Sequence, residues 1–171
     1  MADFSSSLQK GIAAAKRAEL NRAEVTAVFK ELNEQISDST DQKIAIVRGS
    51  VLDATTDTLG AGIAALMSNK RVPALLVQSK SEPTRSWQIA RWKQDPHGYP
   101  CTIALGGDVM HCENRAGLER ELSRLLSSPE VGETILAAMN YATAKTPTTD
   151  GRLGVLGSSD QAPEAGSTGT S

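Results

Sequence analysis

The chain has 171 residues, 39% of them hydrophobic, which suits one domain whose core needs no disulfide or metal to hold it together. A formal net charge of -2 and a pI near 5.7 exclude the globally basic make-up that neutralises phosphates in histone-like proteins, and leave room only for a local basic face. The first residues, with Asp3 and serines at 5–7, lack the basic start and apolar stretch of an export signal. No window approaches the roughly 20 apolar residues that span a bilayer. The two cysteines are therefore expected to be reduced thiols in a cytoplasmic protein.

From Ser5 to Ser37 the spacing predicts helix. Leu8, Ile12, Ala15, Ala18, Arg22, Val25, Phe29, Leu32 and Ile36 recur every three or four residues and make one stripe, apolar except at Arg22. Asn21 with Glu24 three residues on has the form of a capping box, so the segment is also readable as two helices meeting near Leu20. Such a stripe packs on its own domain or forms a seam with a partner helix.

Lys43–Arg48 is β-branched and ends before Gly49, which predicts a strand. The Ala-, Leu- and Gly-rich stretch Thr56–Ser68 reads as a short helix. Ala74–Gln78 is a continuous apolar run suited to a central strand, and Thr84–Gln94 is a further strand after Pro83. Turn formers fill Asp95–Pro100. Cys101–Leu105 and Val109–Cys112 then flank Gly106-Gly107 as a hairpin. Asn114 is placed to cap a helix running to Leu126, and Ser128 with Pro129 starts another reaching Ala144. This order predicts a segregated α+β fold: a long N-terminal helix, a small, mostly antiparallel sheet of four or five strands, and two C-terminal helices, with the helices on one face. The expected domain is 1–144. Residues 145–171, dominated by Thr, Ser, Gly and Pro, are expected to be a disordered tail.

No motif assigns a reaction. Gly60-Ala-Gly-Ile-Ala-Ala65 fits a loose dinucleotide pattern but does not turn directly off a strand, so helix packing explains it better and no cofactor is expected. Cys101, His111, Cys112, His97 and Asp108 are all metal-ligand types. His111 and Cys112, however, are adjacent in a strand and point to opposite faces, so no metal site is expected. With a two-residue glycine turn, Cys101 falls opposite Cys112; with a three-residue turn it faces Glu113.

The segment 70–95 departs most from the whole. Lys70, Arg71, Lys80, Arg85, Arg91 and Lys93 oppose Glu82 and Asp95, a local +4 in a chain of -2. Strict alternation puts Arg85, Trp87, Ile89, Arg91 and Lys93 on one strand face and Ala90 with Trp92 on the other. A basic face bearing an aromatic suits phosphates and an unpaired base, and equally suits a solvated face with Trp87 under arginine stems.

By elimination the chain is expected to be a non-catalytic, regulatory binding protein whose partner is another protein, itself, or both, with self-association through the first helix. Nucleic-acid binding through Arg85, Trp87, Arg91, Lys93, Lys70 and Arg71 is the alternative, a small enzyme built on the 97–112 region comes third, and no membrane role is expected.

Overall fold

A computed structural model describes residues 3–52 and 71–145 of the chain. The helix expected at 56–68, the glycine pattern at 60–65, Lys70 and the tail from 146 lie outside the described residues.

The described residues form an α+β fold in the expected order: α1 (Phe4–Ser39), β1 (Ile44–Leu52), β2 (Arg71–Ser79), β3 (Ser86–Gln94), β4 (Cys101–Leu105), β5 (Asp108–Cys112), α2 (Arg115–Leu126) and α3 (Pro129–Lys145). The five strands make an antiparallel meander in sequence order, β1 to β5. Paired residues share a face. Ile44, Ile46, Leu75, Val77, Trp92, Ile103, Cys101 and Cys112 therefore line one side, where they join a single core with Val25 and Phe29 of α1, Leu118, Leu122 and Leu125 of α2, and Val131 and Ala138 of α3. Phe29 meets Trp92 edge to face at 5.4 Å. All three helices thus pack on one face. Ala74 and Leu76 on the far face are also buried, so that face is not an open surface at β2.

α1 is one uninterrupted helix and not two. Asp3 is its N-cap and accepts from the Ser6 N–H at 3.1 Å. The Asn21–Glu24 pair serves a different purpose, because the 95–100 loop docks there. The Arg22 guanidinium donates to the Pro96 carbonyl at 2.8 Å, and the Tyr99 hydroxyl donates to Glu24 at 3.0 Å. Gly98 has φ +102°, and a Cβ on it would lie 2.5 Å from that of Asn21, so only glycine lets the loop approach this closely.

The other local signals act as expected. Gly106 and Gly107 have φ +59° and +99°, as a two-residue hairpin turn of this type requires, and the resulting register opposes Cys101 to Cys112. The Asn114 side chain caps α2 through the Gly117 N–H at 2.9 Å, and the Ser128 hydroxyl accepts from the Val131 N–H at the start of α3.

Candidate functional site

The basic strand is built differently from simple alternation. Leu75 pairs with Ala90 but Leu76 pairs with Gln88, which leaves Ile89 as an extra residue in a β-bulge. A bulge inverts the side-chain phase beyond it. Trp87 therefore joins Ala90 and Trp92 on the helix-covered face, while Gln88, Arg91 and Lys93 point to the other. The expectation of one face bearing Arg85, Trp87, Ile89, Arg91 and Lys93 is overturned, and Ile89 is buried in the core.

Trp87 and Arg85 are engaged within the fold. Trp87 meets Tyr141 of α3 edge to face at 5.6 Å, and the Arg85 guanidinium lies 5.9 Å from the Trp87 ring and 5.3 Å from the Tyr141 ring. The Tyr141 hydroxyl donates to Glu82 at 2.6 Å. This cluster ties the β2–β3 turn to the end of α3, and the ring needed to stack a base is used there. Arg91 and Lys93 are exposed, and the register aligns Lys93, Thr102 and His111 across three strands. Arg71, also exposed, sits apart at the start of β2 opposite Leu52. Of the five candidates among the described residues, the structure keeps only Arg91 and Lys93 together on one face, and Lys70 lies outside the described residues.

The thiols are placed as the glycine turn implies, and both are enclosed by the core. Cys101 and Cys112 are fully buried, and the Cys101 thiol donates to the Gly98 carbonyl at 3.2 Å. Burial, and then the neighbouring Cys112, push the Cys101 thiol up to about 12; burial, and then Glu121, push Cys112 up to about 11. A nucleophilic cysteine needs the opposite shift. His111 is exposed on the other face and His97 lies in the exposed loop, so neither faces the thiols. Among the described residues no group of three or more His, Cys, Asp or Glu side chains is arranged to hold a metal ion.

What remains is α1. From Phe4 to Arg17 no side chain is buried, and the first buried residue is Ala18. Phe4 is 80% exposed, Leu8 65% and Ile12 47%, all on the stripe that continues into Val25 and Phe29 of the core. A groove between α1 and α2, with Val28, Leu32, Leu122 and Leu126 on its floor, lies farther along the helix. Charge on the projecting arm is mostly basic, from Lys10, Lys16 and Arg17. Sequence periodicity signals the stripe, but it does not reveal that the first half is left uncovered. Phe4 and Gly11, both on this exposed side, are not prominent in the sequence. The one signal that marks Gly11 is a glycine inside a helical run.

No helix among the described residues is long and apolar enough to cross a membrane. Comparison of the chain with protein-family models, curated proteins and solved structures finds no match.

Proposed function

We propose that this chain is a non-catalytic cytoplasmic protein that works by binding another protein through the projecting first half of α1. The observation that carries this reading is the run of Phe4, Leu8 and Ile12, exposed on a helix that has already left its own domain. An apolar stripe held in water on a formed helix lowers its free energy when a partner covers it, and helix-face recognition uses side chains at this spacing. The two raised thiol pKa values and the absence of a metal-type cluster among the described residues give no competing support to a catalytic reading. The test is capture with the full chain as bait, comparing the wild type with Leu8→Asp/Ile12→Asp. Specific partners should be retained by the wild type and lost by the variant, with melting temperature unchanged; capture that ignores both substitutions would refute the assignment.

Nucleic-acid binding is the second reading, and the alignment of Lys93, Thr102 and His111 supports it. It is the weaker of the two because Trp87 is engaged with Tyr141 and Arg85. Phosphate contact without stacking is the form it would take.

A further inference from the structure

We propose that Leu153-Gly-Val-Leu156 of this chain adds as a short strand to the open edge of β3, beside Ser86 and Gln88. This contact is independent of the α1 arm. It follows from a mismatch in strand length: β3 has nine residues, but β4 pairs only with Arg91–Gln94, so no strand among the described residues lies on that side of 86–90. Hydrogen bonds at the two ends of β3 fix which way its main chain points. The Ser79 N–H donates to the Arg85 carbonyl at 3.2 Å, so Arg85, and by alternation Trp87, turn their backbone groups toward β2. The Asp95 N–H donates to the Pro100 carbonyl at 3.1 Å, so Asp95, Lys93 and Arg91 turn theirs toward β4. The extra residue at Ile89 accounts for the change of phase between the two series. Ser86 and Gln88, both exposed, therefore present their N–H and C=O groups to the lane that β4 does not reach. A cavity of about 510 Å³ lies there, lined by Ile89 and Ala90 of β3, Leu105 and Gly106 of the hairpin, and Glu130 at the start of α3. Main-chain donors and acceptors at strand spacing are matched by an extended backbone.

The course and length of the chain select the occupant. α3 ends at Lys145, one turn beyond Tyr141, whose ring centre lies 5.6 Å from that of Trp87 and 5.3 Å from the Arg85 guanidinium. The chain thus leaves the helix beside the start of β3. Extended, residues 146–152 reach about 23 Å, whereas the lane from Ser86 to Ala90 is about 14 Å long, so the chain can pass it and enter from the Gly106 end. Leu153, Val155 and Leu156 come next, and they are the only Leu, Ile, Val, Met or aromatic residues beyond 145 in the sequence. Running back antiparallel to β3, Gly154 pairs with Gln88 and Leu156 with Ser86, which sets Leu153 and Val155 on the Trp87 side of the sheet. Four residues fill the space available. The bulge at Ile89 interrupts the ladder at one end, and at the other the Arg85 N–H donates to the Glu82 carbonyl within the β2–β3 turn. Three apolar side chains are too few to order such a segment in water, but a formed strand edge supplies the main-chain partners that it lacks alone.

Amide hydrogen exchange of the full chain, followed residue by residue by NMR, tests the lane directly. The Ser86 and Gln88 amides should exchange at least about tenfold more slowly than in an unstructured chain. Leu153→Asp/Val155→Asp should return both to the unstructured rate, while the Trp87 amide, which faces β2, stays slow and shows that the sheet is intact. Thr148→Asp, in the connecting stretch, should leave all three rates unchanged. Fast exchange at Ser86 and Gln88 in the wild type overturns the proposal. Slow exchange that survives Leu153→Asp/Val155→Asp overturns it as well: if it is then lost on dilution the edge is paired with a second copy, and if not, with another part of the chain.

Discussion

The two halves of α1 carry the same stripe and meet opposite fates. In the second half Val25 and Phe29 are buried against the sheet, and Arg48 lies 5.0 Å from the Phe29 ring centre. In the first half Phe4, Leu8 and Ile12 stand in solvent. Length explains the difference. A 36-residue helix is about 54 Å long, whereas a nine-residue strand such as β1 reaches only about 30 Å and five strands are about 20 Å across. A helix longer than the surface it packs on must overhang it. Periodicity therefore specifies that a helix has an apolar face, and the extent of the neighbouring sheet decides how much of that face the domain itself covers.

Substitution at equivalent stripe positions should separate the halves most sharply. Phe29→Ala is expected to lower unfolding free energy by about 3 to 5 kcal/mol, because it removes the edge-to-face contact with Trp92 and leaves a cavity. Leu8→Ala should change it by no more than about 0.5 kcal/mol. Chemical denaturation measures both, and a large loss at Leu8 would show that the arm is covered within the monomer.

Asn33 offers a second way to probe the covered half. Its carboxamide acts as a surrogate strand at the outer edge of β1, accepting from the Ile46 N–H and donating to the Ile46 carbonyl, both at 2.7 Å. The same nitrogen donates to the Phe29 carbonyl at 3.0 Å. Asn33→Ala should cost about 1 to 3 kcal/mol and expose an edge that promotes aggregation at high concentration. Unchanged stability and solubility would remove Asn33 from that role.

The thiols make a gentler prediction. In the folded protein both pKa values rise from an ordinary 9.0, to about 12 for Cys101 and about 11 for Cys112, so the native state holds these protons more tightly than the unfolded chain. Their contribution to stability is complete below pH 9 and is lost as pH climbs through 11 and 12. Ellman's reagent at pH 8 should find neither thiol in the native protein and both after unfolding. Cys101→Ala/Cys112→Ala should flatten the alkaline fall in melting temperature; rapid native labelling would contradict the burial.

The smallest effect is expected at Arg91 and Lys93. Arg91→Glu/Lys93→Glu should alter stability by no more than about 0.5 kcal/mol, and the wild type should bind single-stranded nucleic acid no tighter than about 10 µM at physiological salt. Sub-micromolar binding lost in the variant would put nucleic-acid recognition ahead of the α1 arm.

By itself the sequence determined the features that depend on neighbouring residues: the helical stripe, the Asn114 and Ser128 caps, and the glycine turn that opposes Cys101 to Cys112. Those signals act within a few residues, where backbone sterics and hydrogen-bond reach leave few alternatives. Tertiary structure decided the rest. The bulge at Ile89 places one residue of β3 out of step with β2, and that pairing, invisible to alternation along a single strand, turned Trp87 from the basic side to Tyr141. Asn21 and Glu24, which resemble a helix start, are claimed instead by a loop more than 70 residues away through Gly98 and Tyr99. Whether Leu8 is core or surface likewise depended on where the sheet ends, because burial is a property of what lies opposite a side chain and not of the side chain's own spacing.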